Sequence, residues 1–359
     1  MLDFTSSLYL GMYHPSLALP PWKQFTPGVP AALRIPHNYI KTAQGLSLLQ
    51  GCEQATLAPS TLHLFWDLFG ILVDDSDVIY MDSGLYPIAK WGVERAAGLG
   101  ASVRSFPHNS EDALLHLLMR DTHRKTQPIV VTDGWCPHCG KFAPLSTYLK
   151  YIRKFGGILI IDDTQALGIF GHEPGPDAPY GIGGGGSLRW YDIEGPDIIL
   201  VSSLAKGFGV PMAVLAGSKA MVKRFERESK TRMHCSPPSI AAVHAATRAL
   251  SLNHRYGEAL RMRLAQLVLR FCHQIEKIGL DSTGRLSPVQ TLGPLEQIDI
   301  ITLYKQLLRF GVRTVLHQSH KRHKCISFVI TARHSLQDID KAVNRLSDSL
   351  EKIKARSCI

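Results

Sequence analysis

A lysine and a carboxylate each follow a strand-like apolar run, and this pairing indicates cofactor chemistry. Ile198 to Val201 is continuous and β-branched, as in a strand buried on both faces, and it leads into Ser203-Leu-Ala-Lys206-Gly-Phe-Gly209. A second such run, from Gly157 to Ile161, ends at Asp162. Open α/β sheets bind their ligands at the carboxyl ends of their strands, so we expect Lys206 and Asp162 to lie together.

An amine and a carboxylate in this arrangement suit pyridoxal 5'-phosphate (PLP). The cofactor needs a lysine that forms a Schiff base and an acid that keeps its pyridine nitrogen protonated. Lys206 is the candidate for the first role and, once the substrate amine frees it, for the base that moves the α-proton. Asp162 is the candidate for the second. The alternatives are a surface lysine and a helix-capping aspartate, in which case Asp163 would compete, but the order of the motif favours Asp162.

Several motifs in one order resemble the α-oxoamine synthases, PLP enzymes that include 8-amino-7-oxononanoate synthase, aminoketobutyrate ligase and serine palmitoyltransferase. The resemblance runs nearly end to end. It is carried by Asp3-Phe-Thr-Ser-Ser-Leu-Tyr-Leu-Gly11, similar to the family's "FSSNDYLG", by Val131-Thr-Asp133-Gly-Trp, similar to "TEGVFS", and by the segments around Asp162 and Lys206. It implies the α/β fold of class I/II aminotransferases (fold type I), with a mostly parallel sheet and a smaller C-terminal α+β domain.

The resemblance also implies residues around the cofactor ring. Gln165 stands where the family has a histidine near the ring hydroxyl, and an amide can still form a hydrogen bond there without titrating. Tyr86 stands where a family histidine stacks on the ring, although an ordinary buried tyrosine is the alternative. Asp133 ends the strand of the "TEGVFS"-like motif and is included among the cofactor-binding candidates.

For the cofactor phosphate, the resemblance implies three groups. Ser203 is one, and the turn Ala55-Thr56-Leu57 is a second, with amides from the following helix. His234 is the third and would reach the phosphate of the other subunit, so a homodimer is expected.

Two departures from the family concern the substrate carboxylate. Ser7 replaces an asparagine, and the late strand carries Ser327 where the family has an arginine, or Cys325 if the register is shifted by one alternation of the strand. Loss of a bidentate arginine forfeits a charge-assisted contact of about 1.5–3 kcal/mol. The sequence offers three possible substitutes, which are Arg333, Arg313 and Arg34.

The leading functional hypothesis is decarboxylative condensation of an amino acid with an acyl-CoA or acyl-carrier-protein thioester. The missing arginine keeps open a second, which is transamination or another PLP-dependent carbon–carbon bond-forming or bond-breaking reaction. A third is a non-catalytic partner subunit like those known beside serine palmitoyltransferase, but such subunits typically lack the lysine.

The chain divides into three predicted parts. Residues 1–49 are rich in proline and are expected to form a largely irregular arm, 50–235 a PLP-binding large domain, and 236–359 a linker helix and a small domain. The linker helix is predicted to begin after Ser236-Pro-Pro238 and to break near Asn253. The glycine run from Gly181 to Gly186 lacks a phosphate-binding pattern and is predicted to be a flexible loop. The other predicted strands are 77–82, 101–106, 128–133, 157–162, 197–203, 212–217, 312–316 and 326–331, and the other predicted helices are 61–71, 86–97, 111–120, 145–155, 298–310 and one that starts at Ser335.

Composition narrows the class of protein without selecting a substrate. The 359 residues are 45% hydrophobic and carry a formal charge of +10, which a nucleic acid, an anionic membrane or a phosphorylated substrate could each match. The basic run His317 to Lys324 lacks aromatic residues that would stack on bases, so we expect a solvated loop or a surface that steers an anionic substrate, and no nucleic-acid partner. The sequence contains no apolar stretch of membrane-spanning length and no room before Asp3 for a signal peptide, so we expect a cytoplasmic protein.

Seven cysteines in a long chain favour reduced thiols over a disulfide framework. Cys136-Pro-His-Cys139 has the C-x-x-C spacing of some zinc and redox sites. No second spaced pair accompanies it, so the sequence predicts no metal site.

Overall fold

The computed structural model describes residues 1–74, 77–121, 127–284, 286–295, 298–318 and 323–357. Its strands are β1 (Leu2–Asp3), β2 (Gln54–Ala58), β3 (Val78–Asp82), β4 (Ser102–Phe106), β5 (Pro128–Asp133), β6 (Trp135–Cys136), β7 (Lys141–Phe142), β8 (Ile158–Asp162), β9 (Ile198–Ser203), β10 (Ala213–Gly217), β11 (Val289–Thr291), β12 (Val312–Arg313), β13 (Val315–Gln318) and β14 (Lys324–Val329). Its helices are α1 (His37–Gln50), α2 (Thr61–Leu72), α3 (Pro87–Gly98), α4 (Glu111–Arg120), α5 (Leu145–Lys154), α6 (Ser187–Tyr191), α7 (Lys219–Glu228), α8 (Lys230–His234), α9 (Ile240–Lys277), α10 (Ile300–Arg309) and α11 (Leu336–Ser357), and a 3-10 turn covers Ser16–Ala18.

A seven-stranded sheet in the order β2-β10-β9-β8-β5-β3-β4 forms the centre of the molecule. The strands from β9 to β4 are parallel, and β10 runs against both of its neighbours. The predicted α/β fold with a mostly parallel sheet is confirmed. Its parallel strands all end at one edge, which we call the carboxyl edge.

Both faces of this sheet are covered, which explains why its strands are apolar at every position. Along β9, Ile199 and Val201 pack with α2 on one face, in a cluster that includes Phe65 and Phe69. Ile198 and Leu200 belong to the larger cluster on the other face. A strand with one face exposed to solvent would alternate apolar and polar residues, whereas burial on both faces requires a continuous apolar run.

The edge strand β2 corrects a sequence prediction. Ala55, Thr56 and Leu57 were expected in a turn, but they lie inside β2 and pair with β10 from Gln54 to Ala58. The turn comes later, at Pro59 and Ser60, and α2 starts at Thr61.

The arm before the large domain is less irregular than predicted. Its last part forms α1, which ends at Gly51 with the left-handed backbone that favours glycine (φ 80°). Its first residues form β1, which pairs in parallel with β12. The arm therefore spans from the C-terminal part of the chain to the central sheet.

Helix α9 is continuous through 38 residues, so the predicted break near Asn253 is wrong. Its N-cap is Ser239, whose side chain accepts a hydrogen bond from the Ala242 amide, and not Ser236. Asn253 is buried in the helix and donates to the Gly183 carbonyl oxygen.

The glycine run is held in place and is not the flexible loop that was predicted. Asn253 binds the Gly183 carbonyl, Glu258 accepts from the Gly183 amide at 2.8 Å, and Arg261 donates to the Gly168 carbonyl at 2.9 Å. These side chains of α9 satisfy backbone groups that no regular element would satisfy.

The C-terminal part packs α9, α10 and α11 against a small antiparallel sheet in the order β11-β14-β13. The predicted start of the last helix is confirmed, because Ser335 and Asp338 exchange backbone-to-side-chain hydrogen bonds of 2.8 and 3.1 Å. In the part of the chain that the structure describes, no helix is both long and apolar enough to cross a membrane. The basic run from His317 to Lys324 includes residues 319–322, which lie outside the described residues.

Candidate active site

The carboxyl edge brings together the side chains that we call the Lys206 cluster, namely Lys206, Asp162, Asp133 and Tyr86. Asp133 and Asp162 end β5 and β8 and are paired in register across these strands. Lys206 follows β9 in a turn, and its Nζ lies 5.5 Å from the centre of the Tyr86 ring. The predicted meeting of a lysine and a carboxylate at neighbouring strand ends is therefore present in the structure.

Burial lowers the pKa of Lys206, while the negative charges of Asp162 and Asp133 act in the opposite direction. Desolvation is the larger effect, because a buried ammonium loses the water that stabilises its charge. The lowered pKa increases the fraction of neutral amine, which is the form that attacks a carbonyl carbon.

The two carboxyl groups of the cluster are held differently. Burial raises the pKa of Asp133 well above its ordinary value, and the Asp162 charge raises it further, against the Tyr86 amide that donates to Asp133 at 3.2 Å. Burial also raises the pKa of Asp162, but the Thr164 amide, which donates at 3.0 Å, and the Lys206 charge oppose that rise. Of the pair, Asp162 is therefore the better carboxylate partner for a cationic group.

Asp163 lies on the other side of the strand end and has a structural role. Its two carboxyl oxygens accept from the Ser187 amide at 3.3 and 3.0 Å, where α6 begins. Burial raises its pKa to about 7. The structure thus separates the two adjacent aspartates, and Asp162 is the one that faces Lys206, as the sequence motif favoured.

Gln165 has a partner that sequence reasoning did not single out. The Tyr9 hydroxyl donates to Gln165 Oε1 at 2.8 Å, and Tyr9 is almost completely buried. Because Oε1 accepts this bond, the Nε2 group of Gln165 is left to donate to another acceptor. The only sequence signal for Tyr9 was its place in the opening motif.

The carboxyl edge also offers amides for a phosphate group, but not at Ala55, Thr56 or Leu57. Ala213 of β10 is paired with both Ser203 and Ala58, so β2 ends at the same edge as β9. The amides at the start of α2, from Ser60 onward, follow that end, and the N-terminus of a helix favours anions. Ser203 itself is tied down, since its amide donates to Thr164 Oγ1 at 3.0 Å and its hydroxyl accepts from the Ala205 amide at 3.2 Å.

The earlier phosphate candidates have other surroundings. Thr56 accepts a 3.0 Å hydrogen bond from the Arg232 guanidinium. Ala55, Thr56 and Leu57 line a cavity of about 390 Å³ together with Arg232 and residues of α1. His234 is exposed at the end of α8, and among the described residues no hydrogen bond or ion pair joins it to the Lys206 cluster of its own chain.

Ser327, where the resemblance predicts an arginine in the family, is buried. Its hydroxyl lies 2.6 Å from Thr291 Oγ1 and 2.7 Å from His317 Nε2. His317 in turn contacts the His138 ring, with ring centres 5.7 Å apart. The polar side chains at this point of the small sheet satisfy one another, and none of them supplies a guanidinium.

The three candidate arginines lie in different places. Arg313 faces Asp3 at 3.8 Å, and Arg34 lines the cavity beside β2. Arg333 donates to the Gly11 carbonyl at 2.8 Å and stacks on Tyr13. The Ala332 amide, one residue before Arg333, donates to the Tyr9 carbonyl at 2.8 Å. Arg333 therefore lies on a segment that is bonded to Tyr9, the partner of Gln165.

The groups at the carboxyl edge fit PLP. A half-buried amine with a lowered pKa, a carboxylate beside it, an aromatic ring and the start of a helix lie at one edge. These match the needs of an aldehyde, a pyridine nitrogen, a flat ring and a phosphate.

Comparison with known proteins agrees with this geometry. The family model described as aminotransferase class I and II matches residues 53–346. The chain is 24% identical over 360 residues to 8-amino-7-oxononanoate synthase of Coprothermobacter proteolyticus, with 97% of this chain and 87% of the relative covered. It is 26% identical over 364 residues to the protein of that name from Sodalis glossinidius, with 97% and 88% covered.

Solved structures share the fold. Serine palmitoyltransferase of Sphingomonas wittichii superposes with a TM-score of 0.82 at 16% identity, over 98% of this chain and 88% of that one. The 8-amino-7-oxononanoate synthase of Francisella tularensis superposes with a TM-score of 0.77 at 16% identity, over 98% of each chain.

Asp163→Asn should flatten the pH dependence of stability. The folded-state pKa of Asp163 is raised from 3.8 to about 7, so the folded state binds the extra proton in this window and loses stability as pH rises through it. In the parent, this decrease in the free energy of unfolding is on the order of 2–4 kcal/mol for a buried group, and the variant should not show it. Urea denaturation between about pH 4 and pH 8 measures the free energy of unfolding of both proteins. The exposed Asp177→Asn is the control and should keep the parental profile; an Asp163→Asn profile that also matches the parent would contradict the assignment.

Proposed function

Because the chain belongs to the aminotransferase class I and II family, we propose that it is a PLP-dependent transferase of the α-oxoamine synthase type. Its reaction joins an amino acid to an acyl thioester, forms a carbon–carbon bond at the α-carbon, and releases the amino-acid carboxylate as carbon dioxide and the thiol. The relatives named 8-amino-7-oxononanoate synthase, which the chain matches over 97% of its length, support this reaction class. The observation that carries the proposal is the half-buried Lys206 beside Asp162 at the carboxyl edge.

PLP, when bound, withdraws electrons from the α-carbon of an attached amino acid. Lys206 would hold the cofactor through Nζ and, when its amine is free, would move the α-proton. Asp162, as a carboxylate, would keep the pyridine nitrogen of the ring protonated. Gln165 donates its amide toward the ring hydroxyl, because Tyr9 already occupies its oxygen. Tyr86 covers one face of the ring.

The phosphate is held at the start of α2, where free amides follow the end of β2. The Ser60 side chain does not cap the helix and instead bonds His63 Nδ1 at 2.9 Å. The first amides of α2 are therefore available to an anion. Ser203 lies at the same edge, across β10, and contributes to this cup.

A second candidate reaction is transamination or another PLP-dependent carbon–carbon bond-forming or bond-breaking step. It is favoured by Ser327, because the family's carboxylate-binding guanidinium is absent there. A non-catalytic subunit is the weakest candidate, since Lys206 is present and its Nζ lies 5.5 Å from the centre of the Tyr86 ring. The predicted cytoplasmic location and the division at residues 49 and 235 stay predictions.

We also propose that the working unit is a homodimer. The site is open in a single chain, where Tyr86 is 45% exposed. Large apolar side chains of the arm, α2 and α3 are also exposed in the single chain, and exposed apolar surface favours association. They include Leu17, Phe25, Leu33, Leu62, Trp66 and Trp91.

Loss of Lys206 should leave only weak activity. The purified parent should bind PLP, and borohydride reduction followed by peptide mapping should label Lys206. Mass spectrometry of products from an amino-acid panel and acyl thioesters should find an amino ketone and carbon dioxide. Lys206→Ala should lower the rate by about 10²-fold or more, because it removes both the attachment and the base. The exposed Lys223→Ala is the control. Label on another lysine would refute the site, and an oxo acid as product would favour transamination.

Arg333→Ala should weaken amino-acid binding if Arg333 holds the substrate carboxylate. We expect the dissociation constant to rise about tenfold or more, as loss of a charge-assisted contact implies. Titration of the cofactor absorbance with amino acids measures it. Arg313→Ala is the matched control, because that arginine faces Asp3. If Arg333→Ala changes nothing and Ser327→Arg tightens binding, Arg333 does not hold the substrate carboxylate.

Subunit complementation tests the dimer. Lys206→Ala and His234→Ala chains, each weakly active, should regain activity on mixing if His234 serves the neighbouring site. Random exchange leaves about a quarter of the sites free of both changes. Light scattering measures the mass in solution. A monomer that binds PLP at full strength would exclude the proposal.

A further inference from the structure

A second cluster of ligating side chains lies beside the Lys206 cluster. His108, Cys136 and Cys139 place one ligand atom each within 4.8 Å of one another. The sequence reasoning treated Cys136 and Cys139 as a pair without a partner and so predicted no metal site. His108 precedes Cys139 by 31 residues and follows β4, so only the fold brings it to the pair.

The two cysteines are presented by a tight hairpin. Cys136 ends β6 and pairs with Lys141 of β7, and the Gly140 amide donates to the Cys136 carbonyl at 2.9 Å. Gly140 has a φ of 65°, and a Cβ there would lie 2.2 Å from the Gly284 Cα. The turn therefore depends on glycine, and it holds both sulfur atoms on the same side. C-x-x-C turns of this kind supply two of the ligands in many zinc sites.

A buried carboxylate orients the histidine. Asp82, which ends β3 and has no exposed surface, lies 2.8 Å from His108 Nδ1. It also accepts from the amides of Gly84 at 2.7 Å and Asn109 at 3.0 Å. This leaves His108 Nε2 facing the cysteines, in the carboxylate–histidine arrangement that accompanies metal-binding histidines.

Gly84 leaves space for the imidazole ring of His108. A Cβ at Gly84 would lie 2.3 Å from His108 Nδ1, so any larger residue would displace the imidazole. Asn109 Nδ2 also lies 3.2 Å from Nε2, and this amide must turn aside when an ion binds. The Asn109 Oδ1 atom is buried and lacks a hydrogen-bond partner among the described residues, so the side chain gives up only this contact.

The spacing agrees with a tetrahedral ion. His108 Nε2 and Cys139 Sγ are 3.5 Å apart. With Zn–S near 2.3 Å and Zn–N near 2.0–2.1 Å, two ligands of a tetrahedral zinc ion are about 3.5–3.6 Å apart. We propose that His108, Cys136 and Cys139 bind a Zn²⁺ ion, with water in the fourth position. Binding releases the thiol protons to solvent, because zinc coordinates thiolates.

The ion would act as a positioning group rather than in the reaction. It would tie the ends of β3 and β4 to the β6–β7 hairpin. Asp82, which orients His108, also holds Gly84, and two residues later the Tyr86 amide donates to Asp133. The metal site would therefore brace the loop that carries Tyr86 into the Lys206 cluster.

Metal analysis of the untagged full-length holoenzyme, purified in reducing buffer, tests the proposal. We expect inductively coupled plasma mass spectrometry to find about one zinc ion per chain. Cobalt exchanged into the site should give thiolate-to-metal and tetrahedral d–d bands, the latter at wavelengths where the cofactor does not absorb. Cys136→Ser/Cys139→Ser and His108→Ala should lose the zinc. Cys235→Ser, which changes an exposed free thiol, is the matched control and should retain it.

A second measurement covers the case in which these variants fail to fold. In the parent, zinc should protect Cys136 and Cys139 from alkylation, and a chelator should expose both while Cys235 reacts throughout. Negligible zinc with freely reacting Cys136 and Cys139 would overturn the proposal. So would a disulfide between the two in reduced-buffer preparations, or zinc that persists in the double cysteine variant. None of these readouts depends on the proposed transferase activity.

Discussion

Burial of an amine between carboxyl groups is the constraint around which the structure is arranged. Lys206 sits where three strands end, and its loss of solvent outweighs the attraction of Asp162 and Asp133. A surface lysine would stay charged and unreactive at neutral pH. The end of the sheet shields Lys206 from water only in part, since the site is open in a single chain, where Tyr86 is 45% exposed.

Three neighbouring strands, β3, β5 and β8, each end in an aspartate, and their partners separate their roles. Asp82 orients His108, and Asp133 accepts a hydrogen bond from the Tyr86 amide. Burial raises the pKa of Asp162, and its interaction with the charge of Lys206 opposes that rise. The charges of Asp162 and Asp82 add to burial in raising the pKa of Asp133. The side of the carboxyl edge toward β9 suits a cofactor, while the side toward β4, where Asp82 orients His108, suits a cation.

The departure from the family lies in the C-terminal part. Ser327, Thr291 and His317 form a closed polar group where a guanidinium would project, and His317 contacts the hairpin that carries the two cysteines. The fold is retained at low sequence identity. Fold and cofactor thus follow from the sheet, and substrate choice depends on a few side chains from separate segments.

The sequence by itself determined the sheet, the lysine and its carboxylate, because runs that are buried on both faces are continuous and end in polar residues. It misplaced the phosphate turn by treating β2 as a loop, since a five-residue strand at a sheet edge has little periodicity. The sequence also predicted a break in α9 at Asn253. Asn253 is buried inside the helix because the distant Gly183 carbonyl accepts its hydrogen bond, and the local sequence does not reveal that partner. Tyr9 beside Gln165 and His108 beside the cysteines could be found only in three dimensions. Each joins residues far apart in the chain, and such contacts are set by how the elements pack and leave no mark on local spacing.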